Sequence, residues 1–433
     1  MIDHMPFSLR LYRLASAAST SLAPVLLARR LKRGKEDPAR LAERYGESPV
    51  ARPPGPVIWV HGASVGELLS VIPLIERLGG KGFTIVCTSG TVASASMAEQ
   101  RLPDGAIHQY VPLDIPRFVR RFFDHWRPAL ALFAESDLWP NLIATCTERN
   151  VPLIIVNGRL SERSFQRWRA SPGAIAWLLR AFDLCLAQSA ADAARFRDLG
   201  APRITTTGNL KLDVPEPPAD PEQLQALRAA IGQRTVVAAV STHPGEETEV
   251  IEAHRRLRKS FPGLLTIIAP RHPDRGPGIV EIANAVGLAS VLRSSGRLPQ
   301  QSDDIYIFDT LGELGLVYRL APIVFVGGSL ANQGGHNPIE AAKLGAAILH
   351  GPNVGKTAEI YAMLDEVHGA EQVTDVGKLA VRMGALLKDS EQRAAMVAAA
   401  RATLQTLGGA LDRTLAALDP YLVDARRVRG DDA

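Results

Sequence analysis

From residue 56 onward the chain alternates short, wholly apolar runs with amphipathic stretches, and it does so twice. The runs "PVIWVHG", "FTIVCTS", "ALALFAE", "PLIIVNG", "LCLAQS" and "ITTTGN" come first, separated by helical patterns such as "ELLSVIPLIERLG". Apolar runs of this length without polar alternation are strands buried on both faces, which in sequences of this kind means parallel sheets covered by helices. The pattern stops at "DVPEPPADPEQ" (213–223), where four prolines fall within nine residues and stiffen the chain. It restarts through "TVVAAVST", "LLTIIAPR", "ASVLRS", "IYIFDT", "PIVFVGGS" and "AAILHG". The expected fold class is therefore α/β, with two doubly wound, Rossmann-like domains in succession. We place an N-terminal segment at 1–48, a first domain at 49–214 and a second at 222–433, whose Ala-rich tail (380–418) reads as closing helices. A length of 433 residues fits this division, since single cores stop growing well short of it.

Charge narrows the setting. The net charge of +4 equals the excess of residues 1–48, where nine basic residues face five acidic ones. The same segment carries "LASAASTSLAPVLLA" followed by "RRLKRGK": short, rich in Ser and interrupted by Pro24, it does not establish a transmembrane helix, and its basic cluster is on the wrong side for a secretory signal. An apolar helix ending in Arg and Lys suits an anionic membrane surface, with an ordinary packed helix as the alternative. Nucleic-acid binding is set aside, because aromatics are 6% and do not interleave with the basic residues. Cys87, Cys146 and Cys185 are scattered in apolar surroundings, which points to buried thiols in a reducing compartment.

Ligands of doubly wound sheets bind where strands end and helices begin, and polar clusters stand at those points. They are "HGASVGELL", "AESDLWPNL", "NGRLSERS" and "GNLKLD" in the first half, then "STHPGEE", "PRHPDR", "DTLGEL" and "GGSLANQGGHNPIEAA". Several have a plain structural reading: Ser64/Glu67, Thr310/Glu313 and Asn337/Glu340 have capping-box spacing, with Pro338 at an N1 position. Arg271 is expected to be buried beside Gly- and Pro-rich turns and so to need an anion. "AAILHGPNVGKTAEIY" (346–361) has the shape of a P-loop, but His350 stands where the first glycine is required and Gly351 comes one residue late. No zinc spacing and no G-x-S-x-G elbow occurs.

Taken in order from "LAERYGE" to residue 352, these blocks resemble the Kdo transferase family, whose members move 3-deoxy-D-manno-oct-2-ulosonic acid from CMP-Kdo to the lipid A precursor. The resemblance implies a GT-B fold with two Rossmann-like domains facing a central cleft, and inverting transfer without metal or other cofactor. It implies Glu67 as general base and Glu135 as a second acidic residue. Arg271, His272, Gly312, Glu313, Leu314, Gly327, Gly328, Asn337, Glu340 and Lys211 would serve the donor, and Ser64, Gly66 and Arg159 the acceptor side. The implied partners are CMP-Kdo, the lipid A precursor and an anionic membrane surface, with the protein peripheral or N-terminally anchored at the cytoplasmic face of a Gram-negative inner membrane. Two departures stand out: "GPNVGKTAEI" lacks the family's Asn-Phe pair, and Asp137 replaces a glutamate before Leu-Trp-Pro. Rival readings are a GT-B enzyme for another nucleotide sugar, a UDP-sugar 2-epimerase, a P-loop switch dependent on Lys356, and an inactive lipid-binding scaffold.

Overall fold

The computed structural model describes residues 5–214, 216–355 and 357–427, so Lys356 lies outside the described residues. The chain divides into two compact units, Met1–Val214 with Gly408–Ala433, and Pro215–Leu407.

The first unit is built on strands β1 (Val57–His61), β2 (Thr84–Ser89), β3 (Ile107–Tyr110), β4 (Leu130–Ala134), β5 (Leu153–Gly158), β6 (Leu184–Ala187) and β7 (Ile204–Thr206). All pair in parallel, in the order β3-β2-β1-β4-β5-β6-β7. Because side chains alternate across a strand, β1 and β4 each feed two cores. Trp59, Ala131 and Phe133 join Phe122, Phe123 and Trp126 on one face. Ile58, Val60, Leu130 and Leu132 join Leu74, Val156 and Leu186 on the other. Trp59 is fully buried with Phe122 and Phe133 rings at 4.9 and 5.0 Å. Burial of such a ring is worth about 3–5 kcal/mol by the cost of truncation to Ala.

The second unit holds β8 (Val236–Thr242), β9 (Leu265–Pro270), β10 (Ser290–Leu292), β11 (Ile305–Ile307), β12 (Ile323–Val326), β13 (Ala347–His350) and β14 (Ala370–Gln372). Its order is β10-β11-β9-β8-β12-β13-β14, again all parallel. Twelve of the fourteen strands are the apolar runs of the sequence. The two that were not legible, β3 and β14, are edge strands. With one side unpaired they carry "IHQY" and "AEQ" instead of a continuous apolar run.

The second domain was expected to extend over 222–433, but its last helix belongs elsewhere. Helix Ala410–Arg427 lays Leu415, Leu418, Leu422 and Ala425, at helical spacing, into a core of the first sheet. Asp213 fastens its start by accepting from Gly409 N (2.9 Å) and Leu411 N (2.6 Å), and Arg413 donates to Thr207 O at 2.8 Å. The preceding helices, Val376–Lys388 and Ser390–Leu407, stay with the second unit.

Residues Phe7–Lys32 form one helix, tightened to 3-10 geometry over Ser19–Leu22. One side is fixed to the first unit. Leu9 enters the Trp59 core, and Ala23 and Leu27 are buried, Ala23 packing on Ile115 and Phe118. Tyr12 donates to Asp114 (2.9 Å), Asn141 donates to Ser16 (3.0 Å), and Arg13 pairs with Glu148 (2.5 Å). The other side presents Phe7, Leu11, Leu14, Leu22, Val25 and Leu26, of which Phe7 and Leu14 are 79% and 69% exposed.

Candidate active site

In an open parallel sheet the binding crevice lies where neighbouring strands send the chain in opposite directions. In the first sheet that point is between β1 and β4, and the loops there are the clusters "HGASVGE" and "ESDLWP". Ser64 is the N-cap of helix Val65–Gly80, accepting from Glu67 N at a long 3.4 Å. The Glu67 carboxylate is held at both oxygens: Ser64 Oγ donates to Oε1 (2.9 Å) and Ala63 N to Oε2 (2.8 Å). The capping-box reading is thus met in part, with the carboxylate reaching Ala63 N instead of the cap's own N–H. Burial pushes the Glu67 pKa up, and the negative charge of Glu135 raises it further, against the two hydrogen bonds. A carboxylate so raised is a better proton acceptor once ionised.

Glu135 leaves β4 in left-handed conformation (φ 59°), unusual for a residue with a Cβ and typical of functional turns. Its carboxylate takes Lys211 Nζ at 2.7 Å. Lys211, expected with the donor residues, is therefore bound to Glu135 of the first unit. Asp137 accepts from His61 Nε2 (3.0 Å) and Trp139 Nε1 (2.8 Å). Burial alone would raise its pKa, but these donors outweigh it and hold Asp137 below the usual carboxylate range. The other ring nitrogen of His61, Nδ1, lies 2.8 Å from Thr88 Oγ1. Trp139 is 40% exposed and hydrogen-bonded into this network. Gly66 is exposed with open space around it, and Arg159 follows β5, one strand beyond Glu135.

The corresponding crevice of the second sheet lies between β8 and β12. His243, after β8, faces His336 with their Nε2 atoms 2.9 Å apart, and His272 packs edge-on to His243 with ring centroids at 6.0 Å. Burial, then His272 and Arg271, lower the His243 pKa. Arg271 and His272 are exposed, which corrects the expectation of a buried Arg271: the loop after β9 turns its side chain to solvent. Gly328 (φ 71°) packs so close to His336 that a Cβ would sit 2.9 Å from the ring.

Glu313 does not form the expected capping box. It is itself the N-cap of the short helix Leu314–Leu320, beside Gly312 (φ 81°), and its carboxylate is bound by Arg293 (2.8 and 3.1 Å) and by Thr310. Those donors hold its pKa low against burial. Asn337 Oδ1 accepts from Ile339 N (3.1 Å), so it caps two residues on, and Glu340 lies in the helix Ile339–Leu344. Not legible from the sequence were Glu246 and Glu247, both buried at the start of the helix Glu246–Leu257 that follows β8. The doublet after "HPG" was the available signal.

In the described part of the "GPNVGKT" loop, backbone N–H groups are taken up within the protein. Gly351 N donates to Ser329 Oγ (2.8 Å), Asn353 N to Ser329 O (2.9 Å) and Thr357 N to Val354 O (2.8 Å). Among the described residues no cluster of His, Cys, Asp and Glu could hold a metal ion.

Two consecutive doubly wound domains with polar crevices at their strand ends define a GT-B type protein. A glycosyltransferase from Rickettsia africae has this fold, with TM-score 0.57 and 11% identity over 88% of this chain and 100% of that one. So does the UDP-GlcNAc 2-epimerase of Neisseria meningitidis bound to UDP-GlcNAc, with TM-score 0.54 and 12% identity over 81% and 99%. Residues 39–214 match the family model of 3-deoxy-D-manno-octulosonic-acid transferase (kdotransferase). The 3-deoxy-D-manno-octulosonic acid transferase of Haemophilus influenzae is 34% identical over 390 residues, covering 88% of this chain and 91% of that protein. The Bordetella pertussis enzyme is also 34% identical, over 88% and 91%. The chain belongs to the Kdo transferase family.

Proposed function

We propose that the protein transfers Kdo from CMP-Kdo to the lipid A precursor, lipid IVA, with inversion and without a metal. The carrying observation is Glu67: a partly buried carboxylate, raised in pKa, fixed by two hydrogen bonds at the crevice of the first sheet. In the step, Glu67 takes the proton of an acceptor hydroxyl as that oxygen bonds to the anomeric carbon of Kdo. The bond from that carbon to the CMP phosphate breaks, and its electron pair leaves with CMP. A single base on the face opposite the leaving group suffices for inversion. The negative charge of Glu135 raises the basicity of Glu67, and its ion pair with Lys211 moderates that field. Arg271, His272, Gly312, Leu314, Asn337 and Glu340 serve the donor, and Ser64, Gly66 and Arg159 the acceptor side.

The lipid acceptor gives the N-terminal helix a role. Its outer face is apolar, its C-terminal turn carries Arg29, Arg30 and Lys32, and its inner face is bonded to the first unit. That geometry suits a helix lying in the surface of an anionic membrane at the cytoplasmic face of the inner membrane. The double substitution Leu14→Glu/Leu22→Glu, on the exposed face, should abolish sedimentation with anionic vesicles while leaving the melting temperature unchanged. Unaltered sedimentation would rule this role out.

The reaction is tested by incubating the protein with CMP-Kdo and tetraacylated lipid A precursor and weighing the lipid by mass spectrometry. A gain of one or more Kdo units is expected, lost in Glu67→Gln while CMP binding is retained. No gain from folded protein that stabilises with UDP ligands but not with CMP would transfer the reading to another nucleotide sugar.

A further inference from the structure

Glu246 is 1% exposed and opens helix Glu246–Leu257 after β8. Its carboxylate accepts five backbone N–H groups. Oε2 takes His243 N (3.0 Å) and Gly328 N (2.7 Å), and Oε1 takes Ser329 N (3.0 Å), Leu330 N (2.9 Å) and Ala331 N (3.1 Å). The donors come from the two loops that flank the second sheet's crevice. Successive N–H groups turned to one point form a concavity for an anion, and here the chain supplies the anion itself.

The surroundings are shaped around this contact. Ser241 takes a left-handed conformation (φ 54°) where the β8–β9 register shifts. Gly327 passes so close that a Cβ would meet Ser241 O at 2.8 Å and Glu246 Oε2 at 2.9 Å. Gly335 N donates back to Gly328 O (2.8 Å), and His336 follows directly, against His243. Wherever Gly328 goes, the His243–His336 pair must follow.

We propose that Glu246 is a positioning residue of the donor half. Its carboxylate locks the loops after β8 and β12 together and thereby places His243 and His336. The N–H groups of 328–331 then serve Glu246, and the anionic part of the donor is left to side chains such as Arg271 and His272. This replaces the expectation that the Gly327–Gly328 turn itself binds the phosphate or Kdo carboxylate. The inference rests on the CMP-sugar reading for its effect on binding, but not for its effect on the loop.

The test uses the full chain, Glu246→Gln and Glu246→Ala. Hydrogen–deuterium exchange of 328–331 reads the loop, titration with CMP reads the crevice, and donor and acceptor KM values are compared. In the near-isosteric Gln variant an amide NH2 meets N–H donors. Exchange should rise and CMP affinity fall, each by about tenfold or more, with the donor KM rising and the acceptor KM unmoved. Acetate should restore part of the CMP affinity of the Ala variant, by refilling the vacated cavity. Wild-type exchange in Glu246→Gln, or faster exchange with unchanged CMP affinity, would overturn the proposal. A wild type that fails to bind CMP would remove the donor reading, and the exchange comparison alone would then decide whether Glu246 locks the loops.

Discussion

Replacing Ser64 by Ala removes one hydroxyl with two jobs, and their geometries are unequal. As N-cap it accepts from Glu67 N at 3.4 Å, a long contact, so this loss falls at the low end for caps, about 0.5 kcal/mol. As donor it reaches the Glu67 carboxylate at 2.9 Å, and hydrogen bonds to charged groups are worth about 1.5–3 kcal/mol. Glu67 is only partly buried, so we take the lower bound. The second effect dominates and acts on the charged form of Glu67 alone. About 1.4 kcal/mol withdrawn from the carboxylate raises its pKa by about one unit. Glu67 is already raised by burial and by Glu135, so the variant moves it further from the ordinary range. The acid limb of the kcat/KM profile for Kdo transfer should therefore shift about one pH unit upward, while the melting temperature, which at neutral pH senses both losses, about 2 kcal/mol together, falls by about 4–8 °C. Ser64→Thr, which keeps the hydroxyl, should restore the limb. An acid limb that stays in place or moves down, in a variant with normal plateau activity, would refute the assignment of Glu67 as base.

Three further outcomes follow from the structure. Gly351→Ala would place a Cβ 2.3 Å from the Ser329 carbonyl and 2.4 Å from Leu330 N; backbone must move, so thermal unfolding should report a loss of about 3 kcal/mol. Asp137 is held below the carboxylate range by His61 and Trp139, so its contribution to stability is present above the ordinary pKa of about 3.9 and lost as pH falls through the lower folded value. Urea titrations across that range should show a flatter acid side in Asp137→Asn than in the wild type. Lys211→Met leaves Glu135 without its partner at 2.7 Å; the added negative field should raise the Glu67 acid limb, and a rescue by Lys211→Arg would tie the effect to charge.

The sequence by itself determined the two parallel sheets. Interior strands of such sheets are buried on both faces, and β1, β4, β5, β8, β9, β12 and β13 therefore announce themselves as unbroken apolar runs. It also placed Glu67, Glu135, Arg271 and the Gly327–Gly328 turn at strand ends, where chemistry in this architecture is found. Of the four edge strands, β3 and β14 were not legible, because "IHQY" and "AEQ" carry no continuous apolar run. Nor was the return of helix Ala410–Arg427 to the first unit, since an amphipathic stripe tells that a helix packs but not on what. Partnership was likewise decided only in three dimensions. Lys211 lies 76 positions from Glu135 in sequence and 2.7 Å from it in space. Glu246 lies 82 positions from Gly328 and bonds it at 2.7 Å. Local spacing carries propensity, capping and burial, which act within a few residues. Which carboxylate remains available as a base and which is taken up by backbone N–H groups depends on strand order, and that is fixed by the tertiary fold.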